Sequence, residues 1–350
     1  MKFSYRTSGE VCSDAVHVDI EHGRIAEVRF DGGCPGSLAA VSKLVVGMTP
    51  QQAIDILSGT RCGGKSTSCP DQLARALREY LKSDRADGKP TSSIHMLYGA
   101  LGGDIIGSRF EWHNLKSKDF ELFDHHSQFT DDTVLTVATA DALLHNIGYD
   151  QAYRRWGNRY PHAGYGGKFR HWLAADEPRP YNSWGNGSAM RVSPVGFFMN
   201  TVDEVLAEAE RSAAVTHNHP EGIKGAQAAA LAVFLAKNGS PKAEIKAEIE
   251  KRFDYDLSSK TLDQIRPDYF FDVSCLGTLP VALLAFLESE NYEDAIRNAI
   301  SVGGDSDTIA AITGGIALAF YKTMNRETAR GIRARLPEEI KVICREFGDI

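Results

Sequence analysis

The 350-residue sequence has no apolar run that approaches the length of a membrane span, and its first residues show no signal-peptide core. We therefore expect a cytoplasmic protein without a membrane partner. Basic residues are not in excess either. The formal net charge is −7, which argues against general nucleic-acid binding because that requires a basic face. A small nucleotide ligand remains compatible with this charge, since bound cations offset local acidic groups.

Strand signals are scarce after residue 94, where apolar residues recur at helical spacing through to the C-terminus. The first part of the chain is different. Residues 16–20 and 25–30 alternate between apolar and polar side chains, and His22–Gly23 between them predicts a hairpin turn. Helix-start signals follow, with Thr49 as an N-cap and Pro50 in the first helical position.

These patterns predict two domains. Residues 1–82 form a small α+β domain, and residues 94–350 form an all-α domain. Residues 83–93 between them are polar and rich in turn formers, which is typical of a linker. With 43% hydrophobic residues, the chain has the composition of an ordinary globular protein.

Two short acidic stretches stand directly before apolar helical runs. They contain, in order, Thr130, Asp131, Asp132, Asp305, Asp307 and Thr308. Helix capping needs one acceptor and does not explain the adjacent acids Asp131 and Asp132, which repel each other. Four carboxylates and two hydroxyls suffice for two hard cations such as Mg²⁺ or Mn²⁺. We therefore predict that both stretches contribute to one divalent metal centre.

Four of the six cysteines are clustered near the N-terminus: Cys12, Cys34, Cys62 and Cys69. Nothing marks the chain as secreted, so disulfides are not expected. Three interpretations fit these thiols. In the first, they form a zinc site, although the spacing is not that of a zinc finger. In the second, they pack as small, reduced apolar side chains. In the third, two of them form a redox pair.

Glycine-rich segments of the helical domain carry further candidate ligand-binding residues. Gly164, Gly166 and Gly167 belong to a loop whose bare amides suit a pyrophosphate. In residues 183–191, Trp184 offers a stacking face and Asn186 offers directional hydrogen bonds. Arg191 in the same segment is suited to a phosphate or to an internal acid.

Four single residues have two interpretations each. Asp104 lies in a helix of small residues, where it either anchors hydrogen bonds or orients a polar site. Glu111 follows a turn, and it either reaches a metal or a water, or is a solvated surface acid. His217 and His219 fit helix capping as well as they fit ligand binding.

Four motifs in order resemble the ADP-ribosylglycohydrolase family. They are Asp104-x-x-Gly107-x-x-x-Glu111, Thr130-Asp131-Asp132-Thr133, the segment 185–191 and Gly304-Asp305-Ser306-Asp307-Thr308. The string Thr67-Ser68-Cys69-Pro70-Asp71 resembles the TSCPD domain, over about the first 80 residues. The first resemblance implies an all-α fold with a dinuclear Mg²⁺ or Mn²⁺ centre, and the second implies a four-cysteine site for one Zn²⁺.

The resemblance also implies roles for individual residues. The metal ligands would be Thr130, Asp131, Asp132, Asp305, Asp307 and Thr308. Asp131, Asp132 or Glu111 would take a proton from the attacking water. The ADP-ribose site would contain Gly164, Gly166, Gly167, Ser183, Trp184, Asn186 and His217. The zinc ligands would be Cys12, Cys34, Cys62 and Cys69.

The implied function is metal-dependent hydrolysis of the glycosidic bond between ADP-ribose and a protein or small-molecule acceptor, which releases ADP-ribose. Two alternatives belong to other classes. A non-catalytic ADP-ribose-binding module would be expected to have lost its metal-binding acids, and none is lost. A metal-dependent nucleotide phosphohydrolase would place its metals on phosphate instead of ribose. The motifs do not determine the acceptor.

Overall fold

The computed structural model describes residues 2–21, 24–82 and 94–349. Contacts between Cα atoms divide the chain into two compact units, Met1–Ser93 and Ile94–Ile350. The predicted turn at His22–Gly23 and the predicted linker 83–93 lie outside the described residues.

The N-terminal unit has the predicted α+β composition. Its elements are β1 (Lys2–Arg6), β2 (Ser13–Glu21), β3 (Arg24–Gly32), α1 (Pro35–Val45), α2 (Pro50–Leu57) and α3 (Cys69–Lys82). The strands form an antiparallel sheet in the order β1-β2-β3. Val16 and Val18 of β2 are buried in one hydrophobic core with Leu73 and Leu77 of α3, as the alternation along β2 requires.

The second unit is helical. Its helices are α4 (Tyr98–Gly107), α5 (Asp131–His145), α6 (Tyr149–Arg159), α7 (Gly167–Ala174), α8 (Gly187–Met190), α9 (Ser193–Phe198), α10 (Val202–Ala214), α11 (Pro220–Lys237), α12 (Lys242–Phe253), α13 (Leu262–Ile265), α14 (Cys275–Leu287), α15 (Tyr292–Ser301), α16 (Ser306–Tyr321), α17 (Arg326–Arg335) and α18 (Glu338–Phe347). Between residues 94 and 349 the described backbone has isolated β-bridges, His95 with Asp349 and Gly185 with Ser274, but no strand. Among the described helices, none combines the length and apolar composition that a bilayer span requires.

Helices α4 and α16 pack closely against each other, and glycine makes this contact possible. A Cβ atom on Gly99 would lie 2.4 Å from the carbonyl oxygen of Gly314, and one on Gly103 would lie 2.0 Å from that of Ala310. Larger side chains would push the two backbones apart. Because this contact continues to Gly107 and Asp307, it brings the acid of α4 beside the first turn of α16.

Candidate metal centre and ligand cavity

The two acidic stretches lie at helix starts, but Asp131 and Asp305 make no side-chain capping bond there. Thr130 is the N-cap of α5, and its side chain accepts a hydrogen bond from the amide of Asp132. Asp305 occupies the N-cap position of α16 but makes no side-chain capping bond. Capping therefore does not explain the carboxylates of Asp131 and Asp305, as expected from the sequence.

The fold brings acids from three parts of the chain into two overlapping groups. One contains Asp104, Asp132 and Asp307, and the other contains Glu111, Asp305 and Asp307. In each group, one oxygen from every carboxylate lies within 4.8 Å of the others. All are buried except Glu111, which is half-buried. Asp307 belongs to both groups, which is the arrangement expected of a ligand shared by two neighbouring cations.

Asp104 is largely committed to hydrogen bonds within the protein. Its carboxylate accepts from the amide of Thr130 at 2.9 Å, from the Thr130 hydroxyl at 2.7 Å and from the amide of Thr133 at 3.0 Å. It thereby fixes the start of α5, which carries Asp131 and Asp132. Of the two interpretations of Asp104, the hydrogen-bond anchor is the one that the contacts support.

The loop that carries Glu111 is tied to the loop before α16. The side chain of Asn114 donates to the carbonyl oxygen of Gly304 at 3.0 Å and accepts from its amide at 2.7 Å. Gly303 and Gly304 adopt positive φ angles of 75° and 74°, a conformation that favours glycine. These contacts explain how Glu111 comes beside Asp305. No motif or spacing in the sequence indicates this role of Asn114.

The acids raise one another's pKa. Burial, followed by the charge of Asp104, raises the pKa of Asp131 to about 8. Burial, followed by the charge of Asp305, raises the pKa of Glu111 to about 7. The pKa values of Asp132 and Asp307 are raised well above their ordinary range by the same causes. Such a cluster of like charges is costly unless protons or cations neutralise it.

The donor set suits a hard divalent cation. Oδ1 of Asp132 is buried and has no hydrogen-bond partner among the described residues. Its Oδ2 accepts a bond of 3.3 Å from the hydroxyl of Thr308. Carboxylate and hydroxyl oxygens are the ligands that Mg²⁺ and Mn²⁺ prefer. An unpaired buried carboxylate oxygen facing further carboxylates is the feature that a cation would satisfy.

A cavity of about 460 Å³, which we call the main cavity, opens beside this acidic centre. The predicted site residues that line it are Glu111, Thr130, Asp131, Asp132, Gly164, Gly166, Gly167, Ser183, Asn186, His217, Asp305, Asp307 and Thr308. Trp184 is absent from this lining and is 51% exposed. The structure therefore brings together every predicted metal and ADP-ribose residue of the helical unit except Trp184.

The backbone around Trp184 is held by hydrogen bonds to the segment at the start of α14. The carbonyl oxygen of Trp184 accepts from the amide of Cys275, and the amide of Asn186 donates to the carbonyl oxygen of Val273. These bonds align residues 184–186 along the segment before α14. The aromatic residues that line the cavity are Trp112, Phe169, Tyr181 and Phe271.

Trp112 and Phe271 stack at the cavity, with ring centroids 5.3 Å apart and planes inclined by 21°. Trp112 is 74% exposed, and both residues line the cavity. Sequence reasoning missed this pair because the two rings are far apart in the chain. The available signal was the aromatic run Tyr269-Phe270-Phe271, which stands in a polar segment without helical periodicity.

Asn186 and Ser183 have structural bonds in addition to their place in the cavity. The side-chain amide of Asn186 donates to Oδ2 of Asp305 at 2.7 Å and to the hydroxyl of Thr278 at 3.1 Å. The hydroxyl of Ser183 accepts from the amide of Gly185 at 3.2 Å. Asn186 thus orients a predicted metal ligand, and Ser183 shapes the turn that precedes α8.

The two histidines separate into different roles. The side chain of His219 accepts from the amide of Glu221 and caps α11. His217 is buried at the cavity, and burial, followed by the charge of Arg191, lowers its pKa well below the ordinary value. Arg191 is fully buried and, among the described residues, it pairs with no acid; its Nη2 donates to Thr216.

A second candidate site lies in the N-terminal unit. Its four clustered thiols line one cavity of about 210 Å³, together with Arg61 and Lys65. Cys69 is buried, while Cys12, Cys34 and Cys62 are exposed. No three of these four sulfur atoms lie within 4.8 Å of one another. The carboxylate oxygens of each acidic group do lie within that distance.

The TSCPD string has a structural basis around this cavity. The hydroxyl of Thr67 donates to Asp71 at 2.6 Å, and the hydroxyl of Ser68 accepts from the amide of Asp71 at 3.2 Å. The other Asp71 oxygen accepts from the amide of Gly59 at 2.8 Å. Thr67, Ser68 and Asp71 thus fix the start of α3, where Cys69 faces the cavity.

Comparisons with known proteins find a separate family match for each part of the chain. A family model described as ADP-ribosylglycohydrolase matches residues 81–325, and a model of the TSCPD domain matches residues 3–81. A solved structure described as an ADP-ribosylglycohydrolase-related protein complex is similar with a TM-score of 0.55 at 25% identity. The similarity covers 72% of this chain and 95% of that one.

Two curated relatives are named as ADP-ribosyl hydrolases, and the name of one of them specifies ADP-ribosylarginine. ADP-ribosylhydrolase ARH3 of Homo sapiens is 26% identical over 306 residues, which cover 64% of this chain and 84% of the relative. ADP-ribosylarginine hydrolase Tri1 of Pseudomonas putida (strain GB-1) is 26% identical over 305 residues, which cover 78% of this chain and 72% of the relative.

Proposed function

The chain belongs to the ADP-ribosylglycohydrolase family, and we propose that it is a metal-dependent hydrolase that releases ADP-ribose from an ADP-ribosylated acceptor. The observation that carries this proposal is the buried carboxylate centre, whose acids Asp132, Asp305 and Asp307 line the cavity. A module that only binds ADP-ribose would have no need for four buried acids that raise one another's pKa.

Two divalent cations, Mg²⁺ or Mn²⁺, would be held by Asp132, Asp305 and Asp307, with Thr130, Asp131 and Thr308 completing the set. When bound, these ions supply Lewis-acid charge beside the ribose and its attacking water. The two overlapping groups that share Asp307 support a count of two. Asn186 and Asp104 support the same assignment, because they orient Asp305 and the start of α5.

The start of α7 suits the phosphates of ADP-ribose. Gly166 is the N-cap of α7 and Gly167 is its first residue. A Cβ atom on either glycine would meet nothing within 4 Å, and both glycines line the cavity, so a ligand can approach the backbone closely there. Free amides at a helix start bind anions, and Lys168 beside them adds positive charge.

Glu111 is the acid best placed to accept the proton of the attacking water. It is half-buried and lines the main cavity, whereas Asp132 is buried and already accepts from Thr308. A raised pKa also favours proton transfer near neutral pH. Asp131 lines the same cavity and is the alternative base.

A second cavity of about 570 Å³ supports a place for the acceptor. It shares Glu111, Trp112, Thr130 and Gly164 with the main cavity. With ADP-ribose in the main cavity, the bond to be cleaved would lie at this shared edge. The acceptor would then leave along the second cavity, past the stacked face of Trp112.

We also propose that the four thiols of the N-terminal unit bind one Zn²⁺. The supporting observation is that all four line a single cavity. Thiolates are ligands that zinc prefers, and four are enough for a closed structural site. Since the sulfur atoms are not yet gathered, zinc binding would draw the loops of Cys12, Cys34 and Cys62 together.

The test is a product analysis with a panel of mono-ADP-ribosylated arginine, serine and nucleobase acceptors, each with Mg²⁺ and with a chelator. We expect metal-dependent release of intact ADP-ribose, and the best acceptor identifies the substrate class. Release of AMP instead would indicate a phosphohydrolase. Tight binding of ADP-ribose without release from any acceptor would contradict the hydrolase.

A further inference from the structure

His217 faces the main cavity through one nitrogen and the protein interior through the other. A Cβ atom on Gly187 would lie 3.1 Å from Nε2 of His217, and one on Gly185 would lie 3.8 Å from it. Both glycines line the cavity. Nε2 has no hydrogen-bond partner among the described residues. Nδ1 lies 2.8 Å from the hydroxyl of Thr216, away from the cavity.

The hydroxyl of Thr216 already accepts one hydrogen bond, from Nη2 of Arg191 at 2.8 Å. Thr216 is fully buried, so its own proton needs an acceptor, because an unsatisfied buried donor is costly. Within the described part of the chain, Nδ1 of His217 is the acceptor at hydrogen-bond distance. If Nδ1 held a proton instead, the threonine hydroxyl would be left without an acceptor.

Arg191 determines the direction of this chain of hydrogen bonds. A guanidinium group only donates, so the bond to Thr216 has one possible polarity. Nη2 also donates to the carbonyl oxygen of Ser212 at 3.2 Å, and the guanidinium lies 4.1 Å from the ring centre of Tyr153. Arg191 is fully buried, and its contacts with Ser212, Thr216 and Tyr153 hold the guanidinium group in place.

We propose that Arg191 and Thr216 are positioning residues that fix His217 as the neutral tautomer with the proton on Nε2. In this state His217 donates a hydrogen bond into the cavity, to an oxygen acceptor of the bound ligand. The identification of that ligand as ADP-ribose rests on the proposed function. The assignment of the tautomer does not, because it follows from the hydrogen bonds of Thr216. Burial of His217, together with the nearby charge of Arg191, lowers its pKa, which agrees with a neutral ring.

The first readout is the tautomer itself, by long-range ¹H–¹⁵N NMR of protein labelled with ¹⁵N-histidine. The signal that disappears in a His217→Gln variant assigns His217 among the 11 histidines. We expect a protonated Nε2 and an unprotonated Nδ1 in the wild type and in Thr216→Ser, which keeps the hydroxyl. Thr216→Val should lose this pattern. A proton on Nδ1 in the wild type, or an unchanged Thr216→Val spectrum, would overturn the proposal.

The second readout is the affinity for ADP-ribose by calorimetry. Thr216→Val should weaken binding roughly tenfold, because the donor at Nε2 is no longer fixed. Thr216→Ser should stay within about twofold of the wild type. The matched control is Thr313→Val, which removes a buried hydroxyl that donates to Ala282 at 2.9 Å.

The two readouts separate the failure of this proposal from the failure of the proposed function. A wild-type protein that binds no ADP-ribose would contradict the proposed function, while the NMR pattern would still decide the tautomer. Equal loss of affinity in Thr216→Val and Thr216→Ser would overturn the positioning role, because the serine retains the hydroxyl. A loss of the same size in Thr313→Val would overturn it too, because general destabilisation would then explain the effect.

Discussion

The two candidate metal sites of this chain differ in how far the fold has gathered their ligands. The acids of the helical unit come from three helices and a tethered loop, and their oxygens already lie within 4.8 Å of one another in each group. The thiols of the N-terminal unit share a cavity, but three of the four are exposed. The first site is preorganised by helix packing, and the second depends on loops.

The difference has an energetic consequence. Carboxylates held together in a buried centre destabilise the metal-free protein, so a cation that binds there relieves repulsion that already exists. Exposed thiols on loops carry no such repulsion, but the loops must be ordered when they bind a metal. We therefore expect the acidic centre to control stability and chemistry, and the thiol site to affect local order.

The largest effect is expected from Asp132→Asn. Removal of one charged metal ligand should lower the rate of ADP-ribose release at least about a thousandfold. Loss of a residue that only orients a metal ligand already lowers metal affinity or activity about 10- to 100-fold, and loss of the ligand itself should cost more. The measurement is the initial rate of release at saturating Mg²⁺. The control is Asp203→Asn, an exposed acid in the first turn of α10. Comparable rates for Asp132→Asn and the wild type would contradict the expectation that the acidic centre controls the chemistry.

Glu111→Gln should have the next largest effect. We expect the rate of release to fall roughly a hundredfold, because the amide cannot accept the proton of water. The affinity for ADP-ribose should change little, since the predicted phosphate contacts lie at the start of α7. The rate and the affinity are measured on the same preparation. A loss of affinity as large as the loss of rate would assign Glu111 to binding and not to proton transfer.

The third effect concerns stability without divalent ions. Asp131 and Glu111 have pKa values raised to about 8 and about 7. The folded protein thus binds more protons than the unfolded chain between about pH 4 and pH 8, and its free energy of unfolding falls as the pH rises through this window. Thermal unfolding with a chelator measures this. Asp131→Asn should flatten the dependence, and an equally steep curve for that variant would contradict the assignment.

Mg²⁺ should reverse this loss of stability. Because the carboxylates must be deprotonated to bind, a saturating concentration should raise Tm by about 5 °C or more at pH 8 and by less at pH 5. The Asp203→Asn protein should respond as the wild type does. An equal rise in Tm at both pH values would indicate binding outside the acidic centre.

The smallest effect on hydrolysis is expected at the thiol cavity. Cys62→Ser should reduce the zinc content per chain, measured by mass spectrometry of the metal, while ADP-ribose release changes less than about twofold. Cys344→Ser removes a buried, isolated thiol of α18 and is the matched control. A wild-type protein that is purified without zinc and does not take it up would contradict the proposed zinc site of the four thiols.

The sequence was sufficient for much of the acidic centre because its chemistry is local. Adjacent acids at a helix start, and acids at i and i+2 before a second helix, are unusual enough to predict that Asp131, Asp132, Asp305 and Asp307 act together. The pattern predicted that the stretch with Asp305 and Asp307 lies directly before a helical run, whereas α16 begins at Ser306 and includes Asp307 and Thr308. The polar residues of the motif themselves form its first turn.

Contacts between distant segments could not be predicted in the same way. The tether between Asn114 and Gly304, the stacking of Trp112 on Phe271 and the bond from Arg191 to Thr216 each join residues without a local pattern. Trp184 illustrates the converse, because an aromatic residue inside a matching motif predicted a stacking face. Trp184 is outside the cavity lining, and its side chain is 51% exposed.

The most direct test of the central claim is a calorimetric titration of Mn²⁺ into metal-free protein, for the wild type and for Asp305→Asn, with and without ADP-ribose. The account predicts two Mn²⁺ ions at the acidic centre of the wild type, tighter binding of them in the presence of ADP-ribose, and loss of at least one ion in Asp305→Asn. Identical isotherms for the two proteins would contradict a catalytic metal centre built on these acids.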